Sequence, residues 1–289
     1  MTKKFFSFFL VILFLILSGF FLPVEISVKG DGKEVGTGKE ERKFKLLIFA
    51  GHEPEYGGAE YKGVLERDLN LQLAEELRDI LRQNPNFEIV MARDGEGWNP
   101  VIKNYVSDNK EEIKTWLAEK KEEFFLLLNE GKITPARAEM GHRETPFEAA
   151  IFMYGVNKWA GENEVDLTLH LHFNNNPKYK GKPNYEGFAI YIPEKQYQNS
   201  LSSRKIAEFL LAEITKVQKV STMKAESKGI VEDQELIALG CYNTSLTPSL
   251  VVEYAYIYED IMLAQDSRDN FITQMALSTA QALEIYRAR

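Results

Sequence analysis

Four side chains of types that bind metals or transfer protons stand at the ends of predicted strands and helices. His52 follows the apolar run KLLIFA, and His172 ends the alternating segment VDLTLHLH. Glu253 ends the apolar run SLVVE, and Glu66 lies in the first turn of a predicted helix. In an open α/β sheet, ligands bind beyond the carboxyl ends of the strands. We therefore expect these four side chains to converge on one site.

Two histidines and one carboxylate form a known ligand set for catalytic zinc, in which a fourth position is open to water. The sequence therefore predicts one zinc ion held by His52, Glu66 and His172. A carboxylate that does not bind the metal can act as general base, and Glu253 is the candidate. The chain has one cysteine, Cys241, so neither an intramolecular disulfide nor a multi-cysteine metal cluster can form.

Each of these residues also has a purely structural explanation. A histidine at the end of a strand is often a packed or surface residue, and Glu253 could be an ion-pair partner. A glutamate in the first turn of a helix is favoured by the helix dipole alone. Independent structural causes give no reason for all four residues to stand at element ends, so their joint placement favours the metal site.

The composition is that of a folded globular protein. Hydrophobic residues make up 44% and charged residues 27% of the 289 positions, as in typical soluble domains. The net charge of −8 argues against nucleic acid as a partner, because nucleic-acid binding needs basic surfaces.

The N-terminal residues 1–27 have the composition of a membrane or export signal. Lys3 and Lys4 precede twenty residues without a charge, at positions 5–24, and about 20 apolar residues can span a bilayer as a helix. The alternative is a cleaved signal peptide, but the run exceeds the usual ~7–15-residue core and no A-x-A-like cleavage site follows. We therefore favour a signal anchor with the lysines inside the cell. Export of the remaining chain is expected in either case.

Residues 28–43 are polar and glycine-rich, which predicts a flexible linker. From residue 44 to residue 289, predicted strands alternate with predicted helices, which indicates an α/β sandwich with a parallel or mixed sheet. Predicted helices cover 65–82, 203–219 and 267–287. A spacing of four predicts a buried stripe of Leu65, Leu69, Leu73, Leu77 and Leu81. Strict alternation predicts that Val165, Leu167, Leu169 and Leu171 share one face.

Residues 99–145 form a mostly charged insertion that is predicted to be helical. An apolar stripe of Ile113, Trp116, Leu117, Phe124 and Leu128 belongs to a helix that ends near Gly131. The sequence leaves two positions open for this insertion: a helical cover over the cleft, or a surface segment away from the cleft. His142 within it is taken as a surface residue. Thr145 is predicted to cap the next helix, with Pro146 at its first position and Glu148 completing a capping box.

These motifs resemble those of the zinc-dependent N-acetylmuramoyl-L-alanine amidases of the amidase-3 type, which cleave bacterial peptidoglycan. The resemblance runs from about Lys45 to the C-terminus. IFAGH is similar to the family's opening strand with its first zinc histidine, and GGAEYKGVLERD to the loop and helix with the second ligand. VDLTLHLHFNN is similar to a segment that ends in Ser-x-His-x-Asn, and TPSLVVEYAYIYED to the segment with the catalytic glutamate.

The resemblance implies a single three-layer α/β/α domain with roughly six strands. It implies His52, Glu66 and His172 as zinc ligands and Glu253 as the catalytic residue. The implied substrate is the amide bond between the lactyl group of N-acetylmuramic acid and the L-alanine of the stem peptide. The implied partner is therefore peptidoglycan, in an extracytoplasmic, membrane-anchored or secreted location. An activator protein is a further candidate partner, with no residues assigned to it.

The chain departs from the family pattern at several positions. Ala92 stands where threonine is usual, and the loop EPEYGGAE is less glycine-rich than the family's turn. His170 takes the place of the usual serine, and it could compete as a ligand, hold a hydrogen bond to a ligand, or line the cleft. Asn174 and Arg93 are further candidates for positions in or behind the cleft.

Two other functions use the same residue types. A zinc carboxypeptidase-like exopeptidase would need a basic residue to hold a terminal carboxylate, and Arg93 is the nearest candidate in the sequence. A non-catalytic peptidoglycan-binding module would need no general base, so the presence of Glu253 with all three ligands argues against it.

Overall fold

The computed structural model describes residues 42–52, 57–135, 145–175 and 185–289. The predicted anchor, nearly all of the predicted linker and His142 lie outside these residues. Among the helices that the structure does describe, none combines the length and the apolar character needed to cross a membrane.

Short and long strands alternate with helices along the chain. The strands are β1 (Phe44–Ala50), β2 (Glu60–Tyr61), β3 (Val64–Leu65), β4 (Phe87–Met91), β5 (Arg93–Asp94), β6 (Gly97–Trp98), β7 (Leu167–Asn174), β8 (Ala189–Pro193), β9 (Ile230–Asp233) and β10 (Ser249–Tyr256). The α-helices are α1 (Glu66–Leu81), α2 (Pro100–Asp108), α3 (Lys110–Asn129), α4 (Phe147–Glu162), α5 (Ser200–Ile214), α6 (Asp260–Leu263) and α7 (Gln265–Arg287). Short 3-10 turns cover Lys224–Glu226, Ile237–Leu239 and Cys241–Asn243.

The central sheet has six strands in the order β4-β1-β7-β10-β8-β9. The first four are mutually parallel, β8 is antiparallel to β10, and β9 is parallel to β8. The predicted α/β fold with a mixed sheet of about six strands is thus confirmed. Because β1, β7 and β10 are parallel, their last residues meet at one edge, which we call the carboxyl edge.

One face of the sheet packs against α1, α5 and α7. Leu69, Leu73, Leu77 and Leu81 of α1 are buried there together with Leu167, Leu169 and Leu171 of β7, and each buried leucine contributes about 1.5–3 kcal/mol. The predictions for Leu65 and Val165 are wrong. Leu65 precedes α1 in β3, and Val165 precedes β7 and packs in the cluster on the opposite face. The regular spacing of buried residues starts only where each helix or strand starts, so it includes neither Leu65 nor Val165.

The other face packs against α2, α3 and α4, with Ile102, Val106, Ile113 and Ile151 buried between them. Helices α2 and α3 confirm the predicted helical insertion of residues 99–145 as far as residue 129, and residues 136–144 lie outside the described residues. Helix α3 ends two residues before Gly131, whose φ of +68° is the left-handed conformation common after helix ends.

The far end of α3 lies away from the carboxyl edge. The Phe124 ring is 5.5 Å from the Tyr242 ring and 6.2 Å from the Tyr197 ring, between centroids. Tyr197 follows β8, which runs antiparallel to β10, so Tyr197 lies toward the opposite edge of the sheet. These contacts favour a position of the insertion away from the cleft. No contact among the described residues supports a lid over the cleft.

The predicted cap of α4 is wrong. The helix begins at Phe147, Pro146 occupies the N-cap position with φ −52° and ψ 143°, and no side chain caps the first amides. Because Pro146 is extended rather than helical, Thr145 lies one residue too early to cap. Glu148 instead pairs with Lys110 Nζ at 2.6 Å.

Candidate active site

The end of β1 presents His52 at the carboxyl edge. The carbonyl of Gly51 accepts a hydrogen bond from Asn70 Nδ2 at 3.0 Å and another from Arg93 at 3.0 Å. Arg93 Nε also donates to the Ala50 carbonyl at 2.9 Å. His52 itself has φ +63°, a left-handed conformation that costs about 1–3 kcal/mol at a non-glycine residue. The buried bonds from Asn70 and Arg93 hold the backbone in place against this strain.

Glu66, the first residue of α1, lies between the two candidate histidines. Its Oε1 is 3.0 Å from His52 Nε2 and 3.0 Å from His172 Nδ1. Its Oε2 accepts the Ala59 N–H at 2.9 Å. Burial raises the pKa of Glu66, but hydrogen bonds from His172 and His52 outweigh burial and hold this pKa well below its usual range. Burial lowers the pKa of His172, and the hydrogen bond and charge of Glu66 offset part of this shift by raising it.

The three predicted ligands form one cluster. One ligand atom each from His52, Glu66 and His172 lies within 4.8 Å of the others, and the two imidazole rings are 5.0 Å apart at 80°. A His-Glu-His set of this size fits the three protein ligands of a catalytic zinc site, which leaves a coordination position open. The donor types also fit a borderline metal rather than calcium or magnesium, which prefer oxygen ligands.

Two glycines pack directly against these ligands. A Cβ at Gly51 would lie 2.3 Å from His172 Cε1, and a Cβ at Gly58 would lie 2.4 Å from His52 Cδ2 and 2.6 Å from Glu66 Oε2. Gly58 also has φ +71°, which favours glycine. The backbone at Gly51 and Gly58 therefore approaches the three side chains this closely only because these positions lack side chains.

Glu253 lies beside this cluster on the next strand. It pairs with His172 in the register of β10 and β7. Its Oε2 is buried and has no hydrogen-bond partner among the described residues. Burial, followed by the charges of Glu66 and Glu226, raises the pKa of Glu253 well above its ordinary value. A carboxyl group in such a place is suited to accept a proton rather than to stay ionised in an ion pair.

His170 stands apart from the ligand cluster. It is 1% exposed, packs on the Phe49 ring at 4.7 Å between centroids, and neither ring nitrogen has a partner within the described part of the chain. Burial and the neighbouring His172 lower the pKa of His170 to about 3. Of the three roles open for it, no contact with a described residue supports a metal ligand or a hydrogen bond to a ligand. It lies behind the site as a neutral packed ring.

A family model described as N-acetylmuramoyl-L-alanine amidase matches residues 46–284. The chain belongs to this family. It is therefore a hydrolase that cleaves the amide bond between N-acetylmuramic acid and L-alanine in peptidoglycan, as its motifs indicate. No protein curated for function matches the chain by sequence alone.

Solved structures of similar fold agree with the family match. An N-acetylmuramoyl-L-alanine amidase from Clostridium difficile 630 is 16% identical, with a TM-score of 0.51 over 85% of this chain and 97% of that one. The CwlD amidase of Clostridioides difficile, solved with the GerS lipoprotein, is 13% identical with a TM-score of 0.54 over 85% and 99%. The catalytic domain of CwlV from Bacillus (Paenibacillus) polymyxa is 15% identical with a TM-score of 0.51 over 84% and 97%.

Arg93 of the amidase supports the backbone behind the site. It is 4% exposed, and besides the carbonyls of Ala50 and Gly51 it donates to the Arg67 carbonyl at 2.8 Å. A buried guanidinium that already donates to three carbonyls has no adjacent pair of free N–H groups with which to bind a peptide carboxylate. The sequence left a position in the cleft or behind it open for Arg93. Its contacts favour the position behind the cleft.

Asn174 of the amidase contacts a residue that the sequence interpretation missed. Its Nδ2 donates to Glu226 Oε1 at 2.8 Å, and Glu226 is completely buried. Glu226 stands in a charged stretch, KAESKG, with no local signal of burial. Gly51 and Gly58 were also missed as parts of the site, although glycines next to a strand end and in the loop before a helix can mark close backbone packing.

Proposed function

We propose that the amidase works through one zinc ion held by His52, Glu66 and His172, with Glu253 as general base. The observation that carries the proposal is the meeting of these four side chains at the carboxyl edge, three within 4.8 Å and the fourth paired in register with His172. When bound, a zinc ion supplies a Lewis acid that polarises the amide carbonyl and lowers the pKa of a water to ~7.

Glu253 moves the proton in this proposal. Its unpartnered Oε2 accepts a proton from the attacking water as the oxygen bonds to the lactyl carbonyl carbon. When the carbon–nitrogen bond breaks, the same oxygen returns the proton to the leaving amine of L-alanine. The products are a lactyl carboxylate and a stem peptide with a free N-terminus, with no covalent enzyme intermediate.

The two rival functions have less support. The exopeptidase needs a cation for the terminal carboxylate, and the candidate Arg93 is committed to three backbone carbonyls. The binding module gives no use to the buried Oε2 of Glu253, which has no partner among the described residues, although such an atom costs free energy in the fold.

The amidase is proposed to act outside the cytoplasm, where peptidoglycan lies, tethered through the apolar residues 5–24. Because the similar CwlD amidase was solved with a lipoprotein, we include an activator protein among the proposed partners.

Digestion of purified sacculi by the purified enzyme tests this proposal. We expect stem peptides with N-terminal L-alanine, and one zinc per chain by mass spectrometry of the native protein. The His172→Ala variant should lose both zinc and turnover. Release of C-terminal residues would favour the exopeptidase, and zinc that stays bound to His172→Ala would contradict the ligand set.

A further inference from the structure

A buried carboxylate, Glu226, lies beside the site and has no part in the reaction proposed above. Hydroxyl and amide donors from three neighbouring strands converge on it. Tyr191 Oη of β8 donates to Oε1 at 2.6 Å, Asn174 Nδ2 of β7 donates to the same oxygen at 2.8 Å, and Tyr256 Oη of β10 donates to Oε2 at 2.7 Å. A buried carboxylate is costly unless it is hydrogen-bonded in this way.

The contact with Glu226 determines which way the Asn174 amide points. The amide nitrogen Nδ2 of Asn174 donates to Glu226 Oε1, whereas the side-chain oxygen of Asn174 cannot donate. The oxygen Oδ1 of Asn174 therefore faces away from Glu226. Asn174 is half-buried, and no donor from the described residues bonds to this oxygen.

Asn174 lies close to the proposed reaction centre. It follows His172 by two residues in β7, and residues two apart in a strand project from the same face. Its own backbone is tied to the end of β10, since its carbonyl accepts the Ile257 N–H at 2.9 Å. Asn174 is thus held two residues along the strand from the proposed ligand His172 by bonds on both its side chain and its backbone.

We propose that Glu226 is a positioning residue that holds Asn174 Oδ1 as a fixed acceptor for a backbone N–H of the stem peptide. The inference rests on the proposed function, because it takes the peptide to leave the scissile bond along the carboxyl edge. The donor is assigned to the residue that follows L-alanine, whose N–H is the first peptide amide beyond the bond that is cut.

A fixed acceptor gives discrimination that a free asparagine would not. An unrestrained amide can rotate to offer either a donor or an acceptor to whatever approaches it. With its nitrogen bound to Glu226, Asn174 rejects a carbonyl or carboxylate at this position and accepts an N–H, since an acceptor facing an acceptor is unfavourable.

The test compares a soluble lactyl-peptide substrate with an analogue N-methylated at the residue after L-alanine. For the wild-type, metal-loaded enzyme, KM should rise about three- to tenfold with the methylated analogue, the size expected for one neutral hydrogen bond. The Asn174→Ala variant should show a similar rise with the normal substrate and no further rise with the analogue. The value of kcat should change little, because this bond is made equally in the ground and transition states.

A charge-swapped pair tests the role of Glu226. Asn174→Asp places a second acceptor against Glu226, so KM should rise further than in Asn174→Ala. In the double variant Asn174→Asp with Glu226→Gln, the new glutamine amide can donate to the new aspartate and to Tyr191 Oη, which then accepts instead of donating, while the glutamine oxygen still accepts from Tyr256. The double variant should recover most of the lost affinity, and a merely structural role of Glu226 would not produce this rescue.

Tyr254→Phe is the matched control for stability. It removes a buried hydroxyl on the same strand β10, which bonds to Thr279 Oγ1 at 2.9 Å and not to Glu226. This variant should melt at a lower temperature with an unchanged KM. An N-methyl effect that persists in Asn174→Ala, or a double variant no better than Asn174→Asp, would overturn the inference alone. A wild-type enzyme that releases no peptide with N-terminal L-alanine would overturn the proposed function as well.

Discussion

Glu253 lies directly beside His172 in the register of the two central parallel strands, β10 and β7. The two side chains leave the sheet at the same level, so the proposed base and one proposed metal ligand are positioned by the sheet rather than by flexible loops. Only Glu66 and His52 depend on the loop and helix that follow β1. A site that rests on strand register should be rigid, and single substitutions in it should act locally.

The Glu253→Gln variant separates proton transfer from metal binding. Glutamine keeps the shape of the side chain but cannot accept a proton from water. General acid–base catalysis contributes about 10²–10⁴-fold, so kcat should fall by at least that factor while KM changes little. Steady-state kinetics on a soluble muropeptide provide the measurement.

Zinc content is the control for this variant, and it should stay near one per chain. If the variant keeps its rate, Glu253 is not the base. If it loses its zinc, Glu253 is a ligand and the assignment of Glu66 as the carboxylate ligand is wrong.

The Gly58→Ala variant should weaken metal binding without a change to any ligand. The new Cβ would lie within 2.6 Å of both His52 and Glu66 atoms, so at least one ligand must move. Disturbance of the groups that orient metal ligands typically costs about 10–100-fold in metal affinity. Competition with a chromophoric chelator measures this loss.

Gly63→Ala is the matched control. Gly63 has a similar positive φ of +81°, but a Cβ there meets nothing within 4 Å. It should therefore show the same backbone strain and a lower melting temperature with unchanged zinc affinity. Equal loss of affinity in both variants would indicate that loop strain, not contact with the ligands, controls the site.

Local patterns in the sequence were enough for the alternation of strands and helices, and they suggested the four residues that are proposed for the site. Apolar spacing and the placement of His52, His172 and Glu253 in or just after buried strands are short-range features, although β7 continues to Asn174 and β10 to Tyr256, beyond the strand ends that the sequence predicted. Thr145 shows the limit of such rules, because one extended residue, Pro146, moves the helix start beyond its reach.

Other parts of the site depend on contacts between distant residues. Glu226 meets Asn174 across 52 positions of the chain, and its surroundings in the sequence are those of a solvated loop. The burial of His170 without a partner, and the commitment of Arg93 to carbonyls up to 43 positions away, likewise arise only when the strands are paired. Long-range pairing determines these roles, and local sequence patterns carry no information about it.

The apolar N-terminus should hold the protein at a membrane. Residues 5–24 carry no charge, and such a run is long enough to span the bilayer. Fractionation of cells that express the full chain should place it with the membranes, and a variant that lacks residues 1–41 should move to the soluble fraction. Full-length expression that yields soluble exported protein beginning beyond residue 20 would show a cleaved signal instead.

The insertion should contribute to stability rather than gate the site. Ile113 of α3 is fully buried, so Ile113→Ala should cost about 2–5 kcal/mol of unfolding free energy. Leu126→Ala on the same helix is the control, because Leu126 is 56% exposed and its loss should cost under about 0.5 kcal/mol. Denaturant unfolding measures both, and kcat/KM well below the melting temperature should equal that of the wild type. Faster hydrolysis by Ile113→Ala would instead support a lid.

The pH dependence of stability gives an independent test of Glu253 in the metal-free protein. Its pKa is raised above the ordinary value of 4.5, first by burial and then by Glu66 and Glu226. The folded state then binds more protons than the unfolded state between these two pKa values, so the group's contribution to stability falls as pH rises through that interval. The wild type is thus destabilised at neutral pH by the cost of ionising a buried carboxyl that Glu253→Gln does not carry. After chelation of the metal, Glu253→Gln should therefore be more stable than the wild type at pH 7, and the difference should shrink toward zero below about pH 4, where the carboxyl is protonated in both states.

Denaturant titrations of both proteins across this pH range measure the difference in stability. A variant that is less stable at pH 7 would show that Glu253 has a favourable partner in the fold. That result would contradict the proposed role of Glu253 as a base without a partner.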